Sequence, residues 1–364
     1  MKITNLEIIN FRNYERLSVE FNNNINIFIG NNGEGKTNIL EAIYVLAITK
    51  SHRAYIDKNL ITNNKKFTKL SGKIVSLNDI KNMELIINPL GKRVSINKSI
   101  VKKISDYISN FLVILFCPDD LEIVKGSPSV RRKYLNIEIG QIDNKYLYYL
   151  NEYNELLKNR NSYLKSINVD NINMEYLNIL NEQLCNKALL IYKYRFEYIN
   201  KLNENLKLVC KNITDDSIKL KYINNVDIYE YNDKIKDKLL NKLNNSLKSD
   251  ILKANTNYGP HKDDIEILFN DKCVRDYGSQ GQQRLSILCM KFAEIELIKS
   301  KTSEYPVLLL DDVFSELDIL KKNAIINYLN ENIQVFITST DINDIDNSIL
   351  NTSKIFNIND GNIV

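Results

Sequence analysis

A chain of 364 residues, 44% hydrophobic and 26% charged, has enough apolar side chain for a large core and two domains, which excludes a disordered or fibrous protein. No run of about 18 apolar residues occurs, and the opening MKITNLEIINF alternates like a strand, so the expectation is a cytoplasmic protein with neither membrane span nor leader. Cys117, Cys185, Cys210, Cys273 and Cys289 are scattered without a C-x-x-C pair, a pattern that supports neither a zinc site nor a disulfide framework, and a net charge of +4 is compatible with a polyanion without requiring one.

The predicted elements begin with strands at KITNLEIINF, LSVEF and INIFI, followed by a helix from Thr37 to about Lys50 with Ile39, Leu40, Ile43, Leu46 and Ala47 on one face. FTKLSGKIVS, MELIINP and RVSIN alternate like an antiparallel layer, with a turn over Asn88–Lys92. From about Val130 to Asp250 the chain has little glycine or proline and helical spacing, so an all-helical block is expected there. The last third returns to short strands, DIEILF, PVLLLDD, QVFITST and SKIFNI, separated by helical stretches. The helical block therefore reads as an insertion between two ends that share one sheet system.

Chemistry concentrates in three motifs. INIFI runs into GNNGEGKT, a G-x-x-x-x-G-K-[ST] loop between strand and helix. Gly30, Asn31, Asn32, Gly33, Glu34 and Gly35 turn backbone N–H groups around phosphates, Lys36 reaches the terminal phosphates, and the Thr37 hydroxyl ligates magnesium. In PVLLLDDVFSELD an apolar strand ends in two acids, where Asp311 would hold the magnesium and Asp312 would orient or activate water. The third, YGSQGQQR at 277–284, is by itself an ordinary glycine-serine helix start. Its position after the phosphate loop and insertion, and before the D-D strand, is the motif order of ATP-binding-cassette ATPases. In that class this loop completes the ATP site of the other protomer, so two ATP molecules would be sandwiched between two copies.

NFRNY at 10–14, FCPDDLEIVKGSPSVRRKYLN at 116–136, GPHKDD at 259–264, YGSQGQQR and LLLDDVFSELD together resemble the RecF family of bacterial recombination-repair proteins, over essentially the whole chain. The resemblance implies an α/β fold: an ABC-type, SMC-like P-loop ATPase head (1–117 and 255–364) with a largely helical inserted second domain (118–254). It implies an ATP-dependent homodimer with slow, DNA-stimulated hydrolysis, acting on double-stranded and gapped DNA at single-strand gaps or junctions, with RecR and RecO, to help load RecA. Carried over by residue, it adds Arg12 and Asn13 as nucleotide contacts and Ser279, Gly281 and Gln282 acting in trans. Ser315–Asp318 would sense the partner's site.

This chain departs from the cassette class in having D-D where a D-E pair is usual, and ITST without a histidine after the next strand. An Asp for a Glu withdraws the carboxylate by roughly 1.5 Å, and such slippage can cost about 10²-fold in rate. Turnover is therefore expected to be slow, as in a timer. The glutamine of the usual Q-loop has only Gln141 as a candidate. Lys65, Lys66, Lys69, Lys73, Lys92, Arg93, Lys98, Lys102 and Lys103, with Arg131, Arg132 and Lys133, concentrate basic charge; they read either as DNA-phosphate contacts or as solvated faces of a lysine-rich chain. The competing functions are the ATPase subunit of a membrane transporter, which is shorter and lacks such an insertion, and an SMC-like chromosome organiser, which needs long heptad coiled coils.

Overall fold

A computed structural model describes residues 1–77, 79–167, 172–313, 322 and 332–363. The chain forms two units, Met1–Asp120 with Lys291–Val364, and Leu121–Met290.

The first unit opens with β1 (Lys2–Phe11), β2 (Tyr14–Glu20), β3 (Ile25–Ile29) and helix α1 (Lys36–Ile48), then β4 (Thr68–Val75), β5 (Ile80–Asn88), β6 (Gly91–Ile96), β7 (Ser99–Val101), helix α2 (Ile104–Ile108) and β8 (Val113–Phe116). Alternation in β4 and β5 turns Leu70, Ile74, Met83, Leu85 and Ile87 inward. The antiparallel sheet they join has the order β2-β1-β4-β5-β6-β7. Helix α1 is apolar on nearly every side because it is covered on every side: it packs on β1, β4 and β5, and also against strands of a second sheet. Gly72 in β4 marks the closeness of that packing, since a Cβ there would lie 2.9 Å from the Leu46 side chain.

The second unit starts with helices α3 (Leu121–Lys125), α4 (Pro128–Ile142), α5 (Asn144–Ser166) and α6 (Met174–Ile213). Asp143 and Asn173 cap α5 and α6 by accepting from backbone N–H groups of the first turn. Leu177, Leu180, Leu184, Ala188 and Ile191 form the buried stripe of α6. The block is not purely helical: β9 (Ile218–Ile223) follows, before helices α7 (Ile235–Asn245) and α8 (Leu247–Lys253). Strand β9 pairs with β10 (Asp264–Phe269), itself paired with β11 (Lys272–Cys273). DIEILF thus belongs to a separate three-stranded sheet and not to the sheets of the chain ends. IKLKYI has the period-2 pattern DIEILF needs for a partner, but it is embedded in helical sequence. Helices α9 (Val274–Tyr277) and α10 (Gln280–Thr302) follow.

GPHKDD anchors a buried polar network in this unit. The Tyr153 hydroxyl meets His261 Nδ1 at 2.6 Å, and His261 Nε2 lies 3.0 Å from the Thr256 carbonyl oxygen, which fixes a neutral tautomer with the proton on Nε2. Arg195 donates to the Pro260 carbonyl oxygen and to the Tyr146 and Tyr222 hydroxyls, and Tyr222 donates to Asp263. Both ring nitrogens of His261 are thus engaged within this network.

Burial lowers His261 to about 4 and raises Asp263 to about 7, the latter against the pull of Arg195. Their effects in acid oppose each other. The unfolded chain protonates His261 first, so its contribution to stability is lost between about pH 6.5 and 4, whereas the folded chain protonates Asp263 first and gains stability between about pH 7 and 4. Asp263→Asn removes only the gain. Urea midpoints measured from pH 7 to 4 should therefore fall more steeply in the variant than in the wild type; parallel profiles would refute this balance.

The chain then returns to the first unit with β12 (Val307–Asp311), β13 (Val335–Ser339), β14 (Ser353–Asn359) and β15 (Asn362–Ile363). The second sheet has the order β15-β14-β3-β13-β12-β8, and β14, β3, β13, β12 and β8 run parallel within it. Their carboxyl ends share one edge, the edge at which such sheets bind ligands. Gln334 ties the two sheets together, accepting from Ile3 N at 2.7 Å and donating to the Ile3 carbonyl oxygen at 2.8 Å.

Candidate functional site

The phosphate loop leaves β3 and enters α1 at the carboxyl edge of the parallel sheet. Gly33 and Gly35 have φ of 90° and 110°, the left-handed region that glycine enters without strain. At Gly30 a Cβ would lie 2.4 Å from the Ile358 carbonyl oxygen and from Glu34 Oε2. The loop is braced from behind: Glu34 accepts from Asn31 N at 2.6 Å and Asn31 Nδ2 at 2.8 Å, while its carbonyl accepts from Gly361 N at 3.1 Å. Lys36 Nζ donates to the carbonyl oxygens of Gly30 and Asn31 at 2.5 and 2.8 Å, which folds the ammonium over the loop. Burial lowers its pKa, against the charges of Asp312, Glu34 and Asp311.

Across the sheet edge, Thr37 Oγ1 donates to Asp311 Oδ1 at 2.8 Å, joining residues 274 apart in the chain. Thr338, opposite Asp311 in the β12–β13 register, donates to the same oxygen at 2.8 Å. Burial raises the Asp311 carboxyl, offset in part by the Thr338 and Thr37 hydroxyls and the positive charge of Arg53. Asp312 adopts φ 50°, and its N–H donates to Thr338 Oγ1 at 2.9 Å. This donor set fits a triphosphate with magnesium: a glycine loop that admits close backbone approach, an ammonium, and a hydroxyl paired with a buried carboxylate.

Arg12 and Asn13 sit beside this loop. Arg12, with φ 53°, makes a bidentate pair with Glu41 of α1 at 2.7 and 2.9 Å. Burial would raise the Glu41 carboxyl, but hydrogen bonds from Arg12 and Ser51 outweigh it and hold it below its ordinary value. Asn13 donates to the Glu34 carbonyl at 3.3 Å and accepts from Asn38 at 2.8 Å. The sequence reading missed Glu41 and Thr338. A lone carboxylate within NILEAIYVLAI was a signal for a buried partner; nothing local marks Thr338.

In the second unit, Ser279 caps α10 in a reciprocal box: Gln282 N lies 3.3 Å from Ser279 Oγ, and Ser279 N donates to Gln282 Oε1 at 2.9 Å. Ser279 and Gly281 are exposed. Gln141 lies within α4, 3.2 Å from Glu138. Ser315–Asp318 lies outside the described residues.

The basic residues do not form one surface. Lys69, Lys73 and Arg93 share the outward face of the antiparallel sheet, where Lys69 pairs with Glu84 at 2.6 Å. Lys92 turns to the other face, pairs with Asp57 at 2.8 Å and donates to the Thr49 carbonyl. Lys65 pairs with Glu15 at 3.1 Å. Lys66 is exposed in the loop before β4, and Lys102 and Lys103 follow β7. Arg131 is buried in a bidentate pair with Asp264 at 2.6 and 2.9 Å, so it is a structural residue and not a DNA contact.

The family model for the RecF/RecN/SMC N-terminal domain matches residues 2–111. The DNA replication and repair protein RecF of Lactobacillus johnsonii is 40% identical over 369 residues, spanning 100% of this chain and 99% of the relative. That of Streptococcus agalactiae is 42% identical over 375 residues, spanning 100% and 98%. Among solved structures, the recombination mediator protein RecF-ATP of the RecFOR pathway superposes with a TM-score of 0.93 at 35% identity, covering 100% of this chain and 96% of that one. An Smc head bound to the C-terminal winged-helix domain of ScpA shares the fold, with a TM-score of 0.54 at 16% identity over 100% of this chain and 97% of that one. The fold is thus an SMC-like ABC-type ATPase head carrying a largely helical insertion, and the chain belongs to the RecF family.

Proposed function

We propose that this chain is a cytoplasmic, ATP-dependent DNA-binding protein of recombinational repair, working as an ATP-induced homodimer at single-strand gaps or duplex junctions. The observation that carries the ATP reading is the Thr37–Asp311 bond beside the phosphate loop, which brings a metal-binding hydroxyl and carboxylate together from opposite ends of the chain. Gly30 to Gly35 cradle the phosphates, Lys36 neutralises their charge, and Arg12 and Asn13 flank them. Thr37 and Asp311 hold magnesium, which when bound offsets charge on the terminal phosphates. Asp312 orients the attacking water. Ser279, Gly281 and Gln282 address the nucleotide of the other copy.

DNA phosphates meet the outward face bearing Lys69, Lys73 and Arg93, with RecR and RecO as partners in promoting RecA loading. The full-length likeness to RecF relatives favours this over a transporter subunit or a chromosome organiser. Single-turnover hydrolysis should be slower than the typical enzyme rate of about 10 per second and should rise when gapped duplex is added. A chemical step at that rate would remove the timer, and indifference to gapped duplex would remove the coupling to DNA.

A further inference from the structure

We infer that Thr338 is a positioning residue for ATP hydrolysis, one hydroxyl that sets both acids of the D-D pair; this rests on the ATPase reading above. Its Oγ1 is at the hydrogen-bond junction of two strands. It donates to Asp311 Oδ1 at 2.8 Å and accepts from the Asp312 N–H at 2.9 Å. A hydroxyl has one proton and two lone pairs, so donating to one residue while accepting from the next uses it in both directions at once. Thr338 is 1% exposed and lies in β13, whose parallel pairing with β12 continues to the Asp311 position, so its backbone has little freedom.

The two bonds do different things. The bond to Asp311 Oδ1, shared with Thr37 Oγ1 at 2.8 Å, fixes the rotation of the carboxylate from both sides and so orients its other oxygen. The bond from the Asp312 N–H restrains a residue in the left-handed region, φ 50°, which a non-glycine residue holds only when its surroundings impose it. The direction of the second acid's side chain follows from that backbone. A shorter acid at this position tolerates little error in aim, which gives the bond its value.

Thr338→Val keeps the shape and removes both bonds; Thr338→Ser keeps both. In the valine variant kcat should fall at least about 10-fold, because sub-ångström to ångström misplacement of a reacting group costs up to about 10²-fold, while KM for ATP stays within about twofold. Serine should restore most of kcat. The electron paramagnetic resonance line shape of Mn²⁺ bound with a non-hydrolysable ATP analogue should change with valine and not with serine, while the affinity of the Mn²⁺-nucleotide complex stays within about twofold. Should valine melt below the assay temperature, Thr338→Ala provides the same comparison.

A kcat within about twofold of wild type, a loss that serine does not rescue, or an equal loss of ATP affinity would overturn the assignment. If the wild type itself does not hydrolyse ATP, the ATPase reading falls, and the Mn²⁺ measurement alone decides the role of Thr338.

Discussion

Ser279→Arg is expected to abolish the proposed ATP-dependent dimer and to leave ATP affinity of the monomer within about twofold, since Ser279 stands outside the phosphate loop of its own chain. Among the described residues Ser279 acts as a cap: its Oγ is 3.3 Å from Gln282 N, and Gln282 Oε1 returns a bond to Ser279 N at 2.9 Å. Losing such a cap costs about 1 kcal/mol, too little to unfold a protein whose stability is about 5–15 kcal/mol. Gly281 points the same way. Among the described residues a Cβ there would meet only Ser279 Oγ, at 3.9 Å, so none of them demands glycine, although glycine in a helix costs up to about 1 kcal/mol relative to alanine. Bare backbone at an exposed helix start suits close approach by a phosphate, and a long arginine side chain would cover it. Light scattering with ATP, with ADP and without nucleotide reads the result. A variant that dimerises with ATP like the wild type would dismiss the trans role of this loop.

Arg160→Met costs about 3–5 kcal/mol, the usual penalty for leaving one charge of a buried pair without its partner. Arg160 and Asp250 are both fully buried and joined at 2.8 Å. Arg160 also donates to Asn181 Oδ1 and Thr256 Oγ1, both at 2.7 Å, so one guanidinium ties α5 to α6, to α8 and to the segment before β10. Methionine fills much of the volume but cannot neutralise Asp250, whose remaining bonds come from Asn257 at 2.6 Å and 3.2 Å. Adding Asp250→Asn should return part of the loss, because the uncompensated charge is then gone. Urea unfolding of the two single variants and the double variant measures the coupling; additive losses would mean the pair carries no special weight.

The phosphate loop was legible because its chemistry is local: glycines, lysine and threonine stand at fixed spacing between a strand and a helix. The D-D strand was legible for a related reason, an apolar run ending abruptly in acids. What sequence could not convey was partnership across the fold. Thr338 meets Asp311 only through strand register, and Arg12 meets Glu41 only once β1 lies on α1. DIEILF reads as a strand of the chain-end sheets but pairs with β9, because a short alternating run gives its faces and not its neighbour. Arg131 and Lys92 looked like surface cations until their carboxylates were in place. The long helices were legible throughout, since α5 and α6 repeat the helical period for many turns.

Strand β3 has no neighbour from its own end of the chain, since both strands that flank it, β13 and β14, come from the last thirty residues described. On the ribosome, where chain grows at about 5–20 residues per second, the phosphate loop therefore waits on the order of tens of seconds for the strands that support it. The antiparallel sheet and the helical insertion find their partners within the growing chain, but the nucleotide cradle closes last. A chain stopped before β13 thus lacks both strands that flank β3, and its phosphate loop has no sheet neighbour to support it.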